Sequence, residues 1–431
     1  MNIAICGLIS EPFIFFYALK NDLSHLGHKV FFVEPEYSGA VCLIKEKHDY
    51  FTHKSIGETK KNVLHQEFDE ILKYELAILE GNKNKFTKRL NLLAGEICAF
   101  YESFFHNNKI DMILIWNGYS VRGKAAKYIA NKLGIKKNIF ERSVFPFYLQ
   151  VDDEGINTYN SHKQTLCDYQ LQTVNLRIDD FQNLVQKKLD LKNPLDVIKI
   201  KYKVQYYIKE KEYSELGYRV LQYITMQKSL SLKSKKKVFI FNSISLGNLD
   251  YIFVPLQVST DTQLLMCDNL IKTNVELIEN VLNSVSKLNS TWKVVFKIHP
   301  QETGKEAEYL NVIEKYNNAV VTNTDTIELI KNSKLVISIN SSVGFEALLW
   351  QKSVILLGNS IYDNFELIYK VAKLDELKNL IQTNFGKQLD RNLVEKYANR
   401  MLNILIECDF TNPSSTQLDN IISYINKVYQ Q

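Results

Sequence analysis

The chain has 431 residues, too many for one ordinary core, so two domains of roughly 150–200 residues each are expected. Its 45% hydrophobic and 23% charged residues exclude a disordered or fibrous chain, and the modest net charge of +5 favours anionic partners without choosing among them. No apolar run reaches the roughly 18–20 residues that would span a bilayer.

Asn2–Gly7 reads as a short apolar strand ending in glycine. A helix with Pro12 in its first turn follows, carrying Phe16, Leu19, Leu23 and Leu26 on one face and closing at Gly27. The start therefore reads as a folded strand and turn, without the basic segment of a secretory signal. His28–Val33 is the next strand. Ile71–Phe105 is helical with a break at Gly81–Lys85, Asp111–Trp116 is a buried strand, and Lys124–Leu133 is a helix closed by Gly134. This alternation predicts a first Rossmann-like domain over 1–162. Residues 163–236, rich in Lys, Gln and Tyr, read as a helical connector.

From Val238 the alternation is cleaner, with strands at Val238–Phe241, Ile252–Leu256, Val294–Ile298, Leu335–Ile339 and Val354–Leu357. Helices near 269–288, 304–316, 325–332 and 343–350 separate most of them, and Asp325 with Glu328 marks one helix start. A second Rossmann-like domain over 237–385 follows from this pattern. After Asp363 only helices are expected, and 386–431 is read as crossing back to the first domain. The fold class is thus α/β, with two Rossmann-like domains.

Six scattered cysteines without a C-x-x-C pair or clustered histidines point to reduced thiols in a cytoplasmic chain and to no metal site. There is no P-loop and no G-x-G-x-x-G, which leaves ATP and NAD readings without support, and no cofactor is expected. Nothing in the charge pattern asks for nucleic acid.

Three strand ends carry candidate chemistry, since open α/β sheets bind ligands there. In Phe296-Lys297-Ile298-His299-Pro300 a strand delivers Lys297 and His299 to its end, where both side chains suit a phosphate or carboxylate; a His-Pro pair also makes a simple turn. In Ile339-Asn340-Ser341-Ser342-Val343-Gly344-Phe345-Glu346 small polar residues open a helix whose first N–H groups attract an anion, although the same residues serve as a plain N-cap. In Val254–Gln263 polar residues crowd a strand end around one carboxylate, Asp261, which by pattern alone is a helix cap. No Asp-x-Asp pair exists to hold a metal on a diphosphate, which fits a donor with a monophosphate leaving group.

Five segments together resemble the capsule polysaccharide biosynthesis family, in particular its KpsS/LipB-like β-Kdo transferases. They are WNGYSVRG (116–123), FERSVFPFYLQVDDEGINTYNS (140–161), VPLQVSTDTQ (254–263), FKIHPQETG (296–304) and ISINSSVGFEALLWQKSVILLGNSIYD (337–363). The family's Glu-x-Gly-x-x-Arg-Pro pattern is altered here, with Ser143 near its glycine and Phe145 before Pro146. The resemblance implies a GT-B glycosyltransferase that moves Kdo from CMP-Kdo, with retention and without metal, to a lipid or glycolipid acceptor. It implies a CMP site of Lys297, His299, Asn340, Ser341, Ser342, Gly344, Glu346 and Gln257, and it puts Glu141 and Asp261 at the sugar, with His299 beside them in catalysis. Asn117, Asp152 and Asn157 are expected on the acceptor side. Retaining transfer proceeds by two displacements on a carboxylate, with a second group as acid/base.

Other capsule-synthesis enzymes are the expected partners. Weak contact with the cytoplasmic face of the inner membrane is expected from the basic stretches Lys199–Lys211 and Lys228–Lys237. Two other functions fit the residues less closely: transfer of another CMP- or UDP-sugar, and a non-catalytic scaffold of the assembly complex.

Overall fold

The computed structural model describes residues 1–8, 12–35, 40–41, 43–44, 47–54, 68–79, 83–163, 175–187, 249–288, 291–302, 304–363 and 366–430. The expected strand Val238–Phe241, both basic stretches, most of the connector, Cys42 and Cys167 lie outside the described residues.

The chain forms two compact units, each built on its own sheet, the composition of the GT-B class. Among the described residues the first unit comprises those of Met1–Ile156 and Leu405–Gln431. Strands β1 (Asn2–Cys6), β2 (Lys29–Val33), β3 (Met112–Trp116) and β4 (Lys136–Arg142) run parallel in the order β2-β1-β3-β4. Helices α1 (Phe13–His25), α2 (Phe68–Leu79), α3 (Lys83–Asn107) and α4 (Val121–Leu133) alternate with them. Ser120 caps α4 by accepting from Gly123 N, and Gly134 ends it in the left-handed region at φ 69°, which glycine reaches without strain. Every residue of β3 is buried, so Met-Ile-Leu-Ile-Trp is a continuous apolar run, as a parallel strand covered on both faces requires.

Two strands at one side of this sheet depart from the expected pattern. β5 (Tyr148–Asp152) lies antiparallel to β4. A strand far along the chain, β12 (Leu405–Glu407), pairs antiparallel with β5 at Leu405↔Gln150 and completes six strands. The last helix, α13 (Ser415–Gln430), turns Leu418, Ile421, Ile422 and Ile425 onto the core formed with α1.

Among the described residues the second unit comprises those of Asn157–Lys187 and 249–404. Its six strands are all parallel: β6 (Tyr251–Pro255), β7 (Lys293–Lys297), β8 (Ala319–Val321), β9 (Leu335–Ser338), β10 (Val354–Leu356) and β11 (Ile368–Lys370), in the order β11-β10-β9-β6-β7-β8. The connections leave β6 in one direction through β7 and β8, then return to β9 on its other side. The topological switch point therefore falls between β6 and β9, and its open end is where Gln257 and Asn340 emerge. Among the helices, α7 (Asn274–Ser286) starts on a capping box of Thr273 and Glu276, and α9 (Thr326–Asn332) starts on Asp325, which accepts from Ile327 N and Glu328 N.

The sequence reading needs three corrections here. Residues 157–163 and helix α5 (Ile178–Gln186), assigned to the first domain and the connector, belong to the second unit. There α5 is held by α12 (Arg391–Asn403): Ile178 N donates to Glu395 Oε1 at 3.0 Å, and Arg391 to Asp179 at 2.9 Å. Helix α12 also stays in the second unit, so the chain rejoins the first only at Leu405. Finally, β11 and β12 lie in the region read as purely helical; both have only three residues, and β12 pairs with a strand distant in sequence.

Candidate functional site

At the switch point of the second unit a cavity of about 180 Å³ opens among Gln257, Asp261, Lys297, His299, Ser341 and Ser342. Six of the residues singled out in the sequence thus share one wall-lined space, delivered by four different strand ends and helix starts.

β7 ends at Lys297, whose ammonium donates to Thr324 O at 2.8 Å and to Thr326 Oγ1 at 2.9 Å. Those bonds leave one of its three donors for a ligand. Partial burial lowers its pKa, against the pull of Asp325. Two residues on, His299 Nδ1 accepts from Gln301 N at 3.1 Å, which fixes the neutral ring with its proton on Nε2. Partial burial pushes this ring below the ordinary histidine range, while Asp261 and Glu302 pull the other way.

Asp261 caps the short helix α6 (Thr262–Met266) by accepting from Gln263 N at 2.8 Å, and it also lines the cavity. The helix-cap reading and the site reading are both satisfied by one side chain. Burial raises its carboxyl above the usual range, opposed by the Gln263 N–H and by His299.

Helix α10 (Ser342–Leu349) begins at the cavity. Ser341 caps it, accepting from Val343 N at 3.2 Å, and its own N–H donates to Ser338 Oγ at 3.2 Å. The positive end of the helix dipole at this first turn and the Ser342 hydroxyl together favour an anion. The arrangement can receive a phosphate from an ammonium, an imidazole N–H and a helix start, with a carboxylate nearby.

Asn340, Gly344 and Glu346 lie outside the cavity wall. Asn340 is 1% exposed; it accepts from Gln257 Nε2 at 2.9 Å and donates to Gln263 O, Asn269 Oδ1 and Asn359 O at 2.9–3.1 Å. It ties four loops together behind the site. Gly344 is required for packing: a Cβ there would meet Tyr362 Oη at 2.5 Å, and that hydroxyl donates to Ser341 O. The Glu346 carboxyl is pushed up to about 7, first by burial and then by Asp325.

Sequence reasoning missed a buried network that supports a loop of the site. Glu302, 4% exposed, accepts from Ser259 N at 2.6 Å and from Tyr309 Oη at 2.9 Å. Asn274 donates to Gln257 O at 2.7 Å and to Tyr309 Oη at 3.0 Å. These bonds hold the 257–260 loop that presents Asp261. The only signal was the position of Glu302, three residues after His299.

The other predicted residues lie between positions 117 and 157. In the first unit Asn117, at φ 62°, donates through Nδ2 to Glu141 Oε2, and Glu141 Oε1 accepts from Arg142 N at 2.8 Å. Asp152 is fully buried and accepts from Glu154 N and Gly155 N, both at 2.8 Å, which makes it a turn residue. Asn157, at φ 57°, falls in the second unit and is 4% exposed. A buried cluster unforeseen in the sequence sits in the first unit, where Glu34 accepts from His53 Nδ1 and Arg122 Nε, each at 3.0 Å.

Among known proteins, residues 111–403 match the family described as "Capsule polysaccharide biosynthesis protein". Protein FixF of Sinorhizobium fredii (strain NBRC 101917 / NGR234) is 25% identical over 320 residues, which cover 72% of this chain and 64% of that one, so the chain spans less than two thirds of that relative. Two solved structures are similar in outline. One is Thermosulfurimonas dismutans KpsC, beta Kdo 2,7 transferase, at 16% identity, 75% and 89% coverage and a TM-score of 0.42. The other is UDP-GlcNAc 2-epimerase from Methanocaldococcus jannaschii, at 12% identity, 99% and 100% coverage and a TM-score of 0.35. The stretch matched by the family contains every strand of the second sheet and the whole cavity at its switch point: the chain belongs to the capsule polysaccharide biosynthesis protein family.

Proposed function

We propose that this protein is a glycosyltransferase that moves Kdo from CMP-Kdo to a lipid or glycolipid acceptor, with retention, during capsule or surface polysaccharide synthesis. The observation that carries the reading is the convergence of Lys297, His299, the α10 start and Asp261 on one cavity at a topological switch point. Family membership supports polysaccharide synthesis as the setting, and the motif resemblance supports the choice of donor.

The chemistry follows from the charges. CMP leaves the donor sugar as a phosphate monoester, and its developing charge is met by Lys297, the Nε2–H of His299 and the first turn of α10. His299, held neutral by its Nδ1 acceptor role, donates a hydrogen bond to a phosphate oxygen without carrying a permanent charge. Asp261 remains as the carboxylate that attacks the anomeric carbon, forms a glycosyl-enzyme ester and is displaced from it by the acceptor oxygen. Glu141, its carboxylate held by Asn117, is assigned to the acceptor hydroxyl as acid/base. No metal is assigned to the donor, and the enzyme is assigned to the cytoplasm.

A thermal-shift comparison of CMP, UDP and GDP tests the donor class, because a ligand bound only to the folded chain raises its melting temperature by mass action. CMP alone is expected to stabilise, and the transfer assay with CMP-Kdo is expected to proceed in excess EDTA. Stabilisation by UDP alone would move the reading to a UDP-sugar, and no stabilisation by any of the three would favour a non-catalytic scaffold.

A further inference from the structure

The strands of the second sheet begin at the end opposite the cavity that holds Asp261 and His299. β6 and β7 each have five residues, so about 17 Å of strand separates the two ends. At that far end a second, open cavity of about 370 Å³ is lined by Leu249 and Asp250 ahead of β6, Lys331–Lys334 ahead of β9, Lys352 ahead of β10 and the loop Gly386–Gln388. Hydrogen bonds fix its wall: Gly386 N donates to Lys334 O at 3.0 Å, Lys334 N to Tyr251 O at 2.9 Å, and the Ser353 hydroxyl to Lys387 O at 2.9 Å.

Four lysines line this cavity, Lys331, Lys334, Lys352 and Lys387, against one carboxylate, Asp250. Asp250 is engaged by Lys334 at 3.4 Å. The Lys331 ammonium lies 4.2 Å from the Trp350 ring centre, and Lys387 lies over Tyr369 while donating to its hydroxyl at 2.5 Å. Those aromatic contacts orient two ammonium groups without cancelling their charge. Lys352 has no ion pair or side-chain hydrogen bond among the described residues, and its pKa is lowered by burial and then by Lys334. The lining therefore carries an excess of three positive charges around a concave space, with Lys352 half-buried and the other three lysines exposed. An entering anion relieves the mutual repulsion, and lysine ammonium groups meet phosphate oxygens as point charges without needing a fixed fork geometry.

We propose that this cavity is a second ligand site of the protein, one that binds a phosphate-bearing anion at the opposite end of the sheet from the transfer chemistry. The phosphate is carried either by a soluble compound or by the headgroup of an anionic phospholipid, and both sources present the same oxygens to the lysines. The proposal is independent of which sugar is transferred.

The test uses the full chain and the double substitution Lys334→Gln/Lys352→Gln, with Lys297→Ala as a control that disables a phosphate contact in the other cavity. Inorganic pyrophosphate is titrated by calorimetry, and phosphatidylcholine vesicles with and without phosphatidylglycerol are used in co-sedimentation. Wild type and Lys297→Ala are expected to bind at least one probe, and the double variant to bind it about tenfold more weakly or worse. A loss seen only with phosphatidylglycerol vesicles identifies a lipid headgroup, and a loss seen only with pyrophosphate identifies a soluble phosphate. Unchanged melting temperature without probe shows that the double variant is folded. If the folded double variant binds both probes as wild type does, or if wild type binds neither, the proposal is overturned.

Discussion

Replacing Asp261 by asparagine separates the two things this side chain does. Its Oδ1 accepts from Gln263 N at 2.8 Å and so starts α6, and its charge faces the cavity. An asparagine amide oxygen takes over the cap, because Asn and Asp are about equal at that position, and stability should change by only a few tenths of a kcal/mol. The amide is no nucleophile. Loss of the covalent step should lower turnover by roughly 10³-fold or more, equivalent to about 4 kcal/mol of transition-state stabilisation. CMP affinity should stay close to wild type, since Lys297, His299 and the α10 start are untouched. Asp261→Ala removes cap and charge together and should cost about 1 kcal/mol of stability in addition. The assay pairs transfer from labelled CMP-Kdo with calorimetric CMP binding and urea unfolding for each variant. Near-wild-type turnover of Asp261→Asn would refute the assignment and leave Asp261 a helix cap alone. So would activity that follows stability through the Asn and Ala variants.

His299→Ala should weaken CMP binding about tenfold while leaving the fold intact, read by calorimetry and melting temperature. Glu346 has a folded pKa of about 7 against 4.5 for the ordinary side chain, so its contribution to stability is full below 4.5 and is lost as pH rises through about 7. Glu346→Gln should therefore match wild type at pH 4.5 and become more stable by about 1–3 kcal/mol above pH 7, measured by urea unfolding across that range. Asn340→Ala leaves Gln257 Nε2 and the carbonyls of Gln263 and Asn359 without this partner in a buried setting, and should cost about 3 kcal/mol or more in the unfolding of the second unit. Gly344→Ala drives a methyl group against the buried Tyr362 hydroxyl at 2.5 Å and should destabilise by about 1–3 kcal/mol, although alanine is the better helix former.

Local rules were enough wherever a segment's own residues settle its structure. The apolar run Met112–Trp116 could only be a buried strand, Gly134 could only end its helix, and Asp325 followed by Glu328 marked the start of α9. The same holds for the placing of Lys297, His299, Ser341 and Asp261 at strand ends and helix starts, because alternation of strands and helices fixes where such ends fall. What no local rule contains is pairing across the chain. β12 is a strand because Leu405–Glu407 meets β5, more than 250 residues earlier, and α12 remains with the second unit because Glu395 and Asn399 satisfy the chain at Leu176 and Ile178. Asn340 looked in the sequence like the other small polar residues beside it. Only the tertiary structure distinguishes them: Ser341 and Ser342 face an open cavity, whereas Asn340 is enclosed by loops 257, 263, 269 and 359, whose polar groups it satisfies. A residue type dictates which bonds a side chain can make, and the fold decides whether protein or ligand makes them.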